Sequence, residues 1–192
     1  MRSWREWRED QALRRRAEGY VSALAREPDE DDVRWLATFD GARDEDHARW
    51  ELRYARRVIG LLVAERDALD DRTASAVGRA LSAALRFDRR VAADKLSIAE
   101  AQLNARLRGF GEALRTRVGN EPTGARLGRT LLSFTAPPGA PAPSGEAIAH
   151  AGELIARYLA EANETLRAAF GAASLPEDVP PSAVASGGAK LR

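Results

Sequence analysis

The sequence predicts an all-α protein, chiefly because its apolar residues recur at helical spacing. Between residues 44 and 118, three successive segments place apolar side chains every three or four positions, which is the period of one helix face. Alanine, the strongest helix former, supplies much of the apolar content, and the Val, Ile and Thr runs of a sheet protein are missing. Since each stripe must be buried against others, we expect an antiparallel bundle of about four long helices with shorter accessory helices.

Residues 1–43 predict an N-terminal helical arm. Ser3 with Glu6 three positions later is the capping-box arrangement at the start of a first helix. Pro28 ends that helix, and the acidic residues after it favour the start of a short second helix that stops at Gly41.

We expect residues 44–170 to form the bundle itself. Its helices are expected from Asp44 to about Leu69, from a cap at Asp71 to about Phe87, from Asp88 or Arg89 to Val118, from Thr123 to about Thr135, and from a cap at Ser144 to Phe170. A proline-rich loop over 136–144 lies within the bundle. Residues 171–192 are rich in Pro, Ser, Gly and Ala, which predicts a disordered C-terminal tail.

Two glycines interrupt the longest predicted helix. Gly109 and Gly111 flank Phe110, and each glycine costs about 1 kcal/mol relative to alanine in a helix interior. We expect them to mark a bend or the close approach of another helix. Backbone exposed for a ligand is the alternative interpretation.

The composition argues against several classes of protein. The chain has no cysteine, which excludes disulfides, thiolate nucleophiles, zinc–thiolate sites and iron–sulfur clusters. The first residues lack the apolar region of a signal peptide, and the longest aliphatic run, over 58–64, is far shorter than the roughly 20 residues that span a bilayer. We therefore predict a soluble, cytoplasmic protein without a membrane partner.

No pattern of residues predicts a catalytic, cofactor or metal site. The only two histidines are His47, which shares a helix face with Glu51, and His150, which shares one with Glu146 and Glu153. Either set could bind a metal weakly, but neither matches the Glu-x-x-His pairs of di-iron bundles. We predict a non-enzymatic protein with no cofactor, and an enzyme or metal-binding bundle is the third hypothesis.

The charge is unevenly spread, although the net charge is only +1. Residues 27–51 hold ten acidic residues against three arginines, whereas residues 79–129 hold eleven basic residues against five acidic ones. An arginine-rich helical face over 79–129 could bind nucleic-acid phosphates non-specifically. The candidate residues for this alternative are Arg86, Arg90, Arg106 and Arg115. The competing interpretation is that basic faces pair with acidic ones in the same bundle or in a second copy.

All four tryptophans lie in the first 50 residues of a chain that is otherwise poor in aromatic residues. Trp4 and Trp7 belong to a mostly polar helix, so they are core anchors if that helix docks on the bundle and a partner-binding face if it does not. The uneven charge also suits self-association. We therefore predict a function in protein–protein interaction or in self-association, for which a homodimer is one form. Nucleic-acid binding is the alternative.

Overall fold

The computed structural model describes residues 4–68, 71–116 and 120–171, and all regular structure in these ranges is helical. The α-helices are α1 (Trp4–Leu24), α2 (Glu30–Ala37), α3 (Glu45–Asp67), α4 (Asp71–Arg86), α5 (Leu96–Arg115), α6 (Thr123–Thr135) and α7 (Gly145–Phe170), and a short 3-10 helix over Ala93–Lys95 precedes α5. The prediction of an all-α fold is confirmed for this part of the chain.

Helix α3 lies at the centre of the fold. It contacts each of the other described α-helices. Its second half includes Val58 and Ile59, which are completely buried, followed by Leu62 and Val63, so it is apolar on nearly every side. A helix that is apolar all round must be surrounded by other elements, and this sequence therefore places α3 in the middle.

The helices around α3 do not all run antiparallel to it. The Tyr54 hydroxyl donates to Gln102 Oε1 over 3.0 Å, and eight residues further along α3 the Leu62 side chain lies against Gly111. Both contacts advance in the same sense, so α3 and α5 run in the same direction where they meet. The expected antiparallel bundle of four long helices is not confirmed.

Helices α6 and α7 cross in backbone contact. A Cβ atom added to Gly128 would lie 2.3 Å from the carbonyl oxygen of Ile148, and one added to Gly152 would lie 2.7 Å from the carbonyl oxygen of Gly124. Both distances are shorter than any real Cβ contact, so glycine is required at this antiparallel crossing. The absence of side chains lets the two backbones touch.

The glycines of α5 mark a close helix approach, as one of the two sequence interpretations expected. A Cβ at Gly109 would lie 2.8 Å from Cζ of Phe134 on α6, and the helix continues without interruption through Gly111. The neighbouring Phe110 ring is completely buried, with its centroid 6.1 Å from that of Phe134.

The predicted start of the fifth helix is wrong. Helix α5 begins at Leu96 rather than at Asp88 or Arg89. The Asp88 carboxylate is buried, and it accepts hydrogen bonds from the Arg57 guanidinium over 2.7 Å and from the backbone N–H of Arg90 over 3.1 Å. These bonds hold the segment in a turn. A helix that continued through Asp88 could not form them.

Two of the three predicted helix caps within the bundle are confirmed. The Asp44 carboxylate accepts from the backbone N–H groups of Asp46 and His47, and the Ser144 hydroxyl accepts from that of Ala147. Asp71 is instead the first residue of α4. The predictions for Ser3, Leu69, Val118 and residues 172–192 lie outside the described residues.

The C-terminal half of α1 packs into the same core as the later helices. Ala17 and Tyr20 are completely buried, and Val21 and Leu24 are nearly so. The division of the chain into an arm and a bundle at residue 43 stays a prediction.

Candidate functional site

The two tryptophans of α1 form an exposed aromatic surface, which we call the tryptophan ridge (Trp4 and Trp7). Trp4 is 68% exposed and Trp7 is 49% exposed, so the alternative that they are core anchors is wrong. The rings stack with their centroids 4.9 Å apart and their planes 13° apart. Because residues three apart on a helix are neighbours on its surface, the two indoles make one continuous apolar patch.

The ridge lies on the part of α1 that precedes the core. Arg72, at the start of α4, bonds to Asp10 over 2.6 Å, and the first residues of α1 that pack in the core are Leu13, partly buried, and Ala17, completely buried. The first turns are supported by the helix itself, through contacts such as the 3.2 Å ion pair between Arg5 and Glu9. The indoles therefore lie beyond the packed part of the helix and are left uncovered.

The other two tryptophans serve internal packing. Trp35 meets the edge of Phe39 with ring centroids 5.1 Å apart and lies 4.2 Å from the His150 ring. Trp50 packs on Tyr54, and the Arg53 guanidinium sits 4.9 Å from its ring centre. Both are half-buried.

A groove of about 300 Å³ opens between α3, α5 and α7, and we call it the three-helix groove. It is lined by Leu62, Val63, Glu65, Arg66, Gly111, Leu114, Arg115 and Leu159. Leucine side chains from all three helices form its interior, whereas the charged groups at its edge are exposed. This groove could not be expected from local sequence patterns, because its residues come from three separate helices.

A larger groove of about 710 Å³ lies between the turn after α2 and the proline-rich loop. It borders the C-terminal ends of α2 and α6, which carry partial negative charge. Arg129, which lines the groove, pairs with Glu121 over 2.7 Å, and the Asp40 carboxylate is already bonded to Ala42 N–H and to His47. These two charged groups thus serve the local structure.

Two of the four candidate nucleic-acid residues are already engaged within the fold. Arg106 bonds through Nε to the buried carboxylate of Glu51 over 3.0 Å, and its side chain is only 11% exposed. Arg90 bonds to Asp88 over 2.8 Å and also pairs with Glu27.

The other two candidates, Arg86 and Arg115, are exposed. Neither forms an ion pair with any residue of ranges 4–68, 71–116 and 120–171. Arg115 lies at the three-helix groove, whereas Arg86 ends α4. The structure thus separates the four candidates into two arginines that are paired and two that form no ion pair within the described residues.

Much of the acidic segment 27–51 is neutralised inside the molecule. Arg53 pairs with Glu27 over 2.6 Å, and Arg157 on α7 pairs with Asp32 over 2.7 Å. Of the arginines in 79–129, Arg90 pairs with Glu27 and Arg106 pairs with Glu51, as expected if basic and acidic faces pair within one bundle. The uneven charge of the sequence is thus partly balanced by ion pairs between helices.

A further ion pair, between Arg57 and Asp88, is fully buried. Arg57 and Asp88 are 2.7 Å apart, with side chains 3% and 4% exposed. The pair ties the segment between α4 and α5 to the central helix. Burying a charge without a partner is costly. Moving this segment away from Arg57 would leave that charge unpaired, so the ion pair holds the segment in place.

His47 lies between two carboxylates. Its Nδ1 is 3.0 Å from Asp40 Oδ2, and its Nε2 is 3.4 Å from Glu51 Oε1. The hydrogen bond from His47, together with one from the Ala42 N–H, holds the pKa of Asp40 below its usual value. Since Arg106 also bonds to Glu51, a cation already occupies this acidic site.

His150 is exposed and rests against Trp35. Within the described residues, no group of three or more His, Asp or Glu side chains is arranged to hold a metal ion.

None of the helices described here combines the length and apolarity needed to cross a bilayer. Comparison with protein-family models, with curated proteins and with solved structures gives no match.

Proposed function

We propose that this protein acts by binding a protein partner through the tryptophan ridge. The observation that supports the proposal is the stacked pair Trp4 and Trp7, which stays exposed although the C-terminal half of α1 is docked on the core. Tryptophan is the residue most enriched at the energetic centres of protein interfaces. Two adjacent indoles in water are costly to maintain, and burial against a partner would recover that free energy.

The ridge fits recognition of a helix by a groove. In that mode, apolar side chains three or four residues apart insert into a hydrophobic cleft, while charged neighbours meet the polar edge. Trp4 and Trp7 supply the apolar pair, and the exposed Arg8 lies next to them on the helix surface, whereas Arg5 and Glu9 pair with each other. A partner with an apolar cleft and an acidic edge would match this surface.

The test compares wild-type protein with Trp4→Ala/Trp7→Ala and with Phe87→Ala. Phe87 is 79% exposed after the end of α4, so its removal is a matched loss of exposed aromatic surface elsewhere. Cross-linking of each tagged protein in its source cells, followed by mass spectrometry, identifies the partners. We expect wild type and Phe87→Ala to recover the same partner and the double variant to lose it while its circular dichroism is unchanged.

Two results would argue against this function. One is recovery of the same partners by all three proteins. The other is loss of helix content in the double variant, because the tryptophans would then be needed for folding.

A second candidate function is non-specific nucleic-acid binding, and one observation favours it. Arg79 and Arg86 are exposed and lie seven residues apart, on one face of α4, with Arg89 just beyond. Because Arg90 and Arg106 are engaged internally, we expect Arg79→Glu/Arg86→Glu to reduce retention on DNA more than Arg90→Glu does. Wild-type protein that is not retained at low salt would end this candidate.

A further inference from the structure

We infer that the exposed side of α4 and the turn after it bind a single strand of nucleic acid, with arginines on the phosphates and the Phe87 ring against a base. We call the three arginines Arg79, Arg86 and Arg89 the arginine track. The inference rests on the second candidate function and names its ligand. It is independent of the tryptophan ridge, which lies on another helix.

The arginines of the track are not used inside the molecule. All three are exposed, and none forms an ion pair with a residue of ranges 4–68, 71–116 and 120–171. The central helix shows the opposite behaviour, since each of the first four arginines of α3 pairs with a carboxylate. The guanidinium groups of the track therefore keep their donors for an anion from outside, and a phosphate matches the planar fork of arginine.

The segment that carries the track has no exposed, unpaired carboxylate. Between residues 72 and 93 the only acidic residue is Asp88. Its side chain is 4% exposed and is already bonded to Arg57 and Arg90. Just beyond the segment, Asp94 lies 3.7 Å from Lys95. The surface thus has an excess of positive charge although the net charge of the whole chain is only +1, and a polyanion is its complementary partner.

The spacing of the track suits a row of phosphates. Arg79 and Arg86 lie on the side of α4 opposite the core residues Val77 and Leu81. They are two helical turns apart, which is about 11 Å along the axis. Successive phosphates of a stacked strand advance about 3.4 Å, so the two arginines span about three nucleotides. Arg89 extends the row past the end of the helix.

Phe87 adds a surface for a base. It is 79% exposed, more than any other large apolar residue that the structure describes. It follows Arg86 directly and precedes Arg89 by two residues, so its ring lies beside the phosphate contacts. The bases of a duplex are already stacked on each other, whereas those of a single strand can stack on an aromatic side chain. The exposed ring therefore favours a single strand over a duplex.

The same side of α4 does not suit a membrane surface. A helix that lies on a bilayer buries a broad apolar face in it. Between Arg79 and Arg86, the exposed residues of α4 are Ser82 and Ala83. A bilayer would thus receive the Phe87 ring and no apolar helix face.

Fluorescence anisotropy with a labelled oligothymidylate of about 12 nucleotides tests the inference. We expect wild-type protein to bind this strand more tightly than it binds a duplex of the same length. Phe87→Ala should weaken binding of the single strand about 5- to 100-fold and leave binding of the duplex unchanged, because only the single strand stacks on the ring.

The salt dependence of binding separates the two kinds of contact. Each phosphate contact on a single strand contributes about 0.7 to the slope of log affinity against log salt, so the three arginines predict a slope of about −2. Arg79→Gln/Arg86→Gln should reduce it to about −0.7, whereas Phe87→Ala should leave it at about −2. All these side chains are exposed, and circular dichroism of each variant checks that the fold is kept.

Two matched variants remove similar groups elsewhere on the surface. Trp4→Ala/Trp7→Ala removes exposed aromatic rings, and Arg115→Gln removes an exposed arginine that pairs with no described residue. Neither should change the affinity for oligothymidylate or its salt slope. Losses as large as those of the track variants would overturn the inference, because binding would then follow general charge and aromatic content.

Other results would overturn the inference in distinguishable ways. Equal binding of strand and duplex, unaffected by Phe87→Ala, would leave non-specific nucleic-acid binding as the function. Wild-type protein that binds neither form at low salt would end the second candidate function as well. Binding to phosphatidylserine vesicles through Phe87, without binding to oligonucleotides, would assign the surface to a membrane. Binding of either oligothymidylate or oligouridylate that depends on Phe87 supports the inference, and the tighter of the two distinguishes a DNA strand from an RNA strand.

Discussion

The hydroxyl of Tyr20 on α1 donates a hydrogen bond to the backbone carbonyl of Gly60 on α3, over 2.8 Å and within the core. The same glycine makes room for the Leu24 side chain, since a Cβ at Gly60 would lie 2.2 Å from a Leu24 methyl group. A polar bond and a close apolar contact thus fix α1 to the central helix at one point. The ridge at the other end of α1 depends on this anchor for its position.

We expect Tyr20→Phe to lower the free energy of unfolding by about 1 kcal/mol, because it removes a buried hydrogen bond. Tyr158→Phe is the matched control. The Tyr158 hydroxyl is buried and has no hydrogen-bond partner among the described residues, so its removal should be neutral or stabilising. Urea denaturation of both variants measures the difference. Equal losses in the two variants would contradict the assignment of these hydroxyls.

We expect the protein to lose stability as the pH rises above 10. Burial raises the pKa of all three tyrosines, Tyr20, Tyr54 and Tyr158, above the usual 10.0. In the unfolded chain these phenols ionise near pH 10, whereas in the folded chain they stay neutral. The unfolded state therefore releases more protons above that pH and is favoured there.

Absorbance at the tyrosinate wavelength and circular dichroism, recorded together during alkaline titration, measure this effect. Tyrosinate should form only as helix content is lost. Tyrosinate formation near pH 10 with the helices intact would show that the phenols are accessible to solvent.

We expect Gly152→Ala to destabilise the protein by about 1–3 kcal/mol, because the added methyl group forces α6 and α7 apart. Gly19→Ala is the control within a helix. A Cβ at Gly19 meets no atom within 4 Å, so alanine should stabilise α1 by roughly 0.5–1 kcal/mol. Thermal denaturation should therefore show shifts of opposite sign, and shifts of the same sign would contradict the backbone contact at the crossing.

We expect Asp88→Ala to cost about 3–5 kcal/mol of stability, because it leaves the Arg57 charge buried without its partner. Replacing both residues by apolar ones should cost much less. The exposed pair Arg5 and Glu9 is the comparison, and Glu9→Ala should change stability by less than about 1 kcal/mol. Chemical denaturation of the three variants tests this order, which would be wrong if Asp88→Ala and Glu9→Ala had similar effects.

The sequence predicted those elements whose signals are local. Helix α7 follows its Ser144 cap and ends at Phe170 as expected, because a cap, a periodic stripe and a following glycine agree there. The start of α5 was missed because Asp88 is held by Arg57, which lies 31 residues earlier in the chain. The start of α5 therefore depends on a tertiary ion pair, which local sequence patterns do not show.

The candidate site was predictable only in part. Trp4 and Trp7 stood out because tryptophan is rare in this chain, but whether a docked helix covers them depends on the packing of α1. The three-helix groove could not be predicted, since Leu62, Gly111 and Leu159 meet only through the arrangement of three helices. Likewise, the engagement of Arg106 depends on the buried carboxylate of Glu51.

The central position of α3 has a consequence for how the protein opens. Because every other described α-helix contacts α3, detaching any one of them exposes part of its apolar surface to water. Partial opening is then nearly as costly as complete unfolding for the residues around Val58 and Ile59. Their amide hydrogens should exchange with solvent most slowly in the chain, while the amides around Trp4 and Trp7 exchange first through fraying of α1 that leaves the core closed.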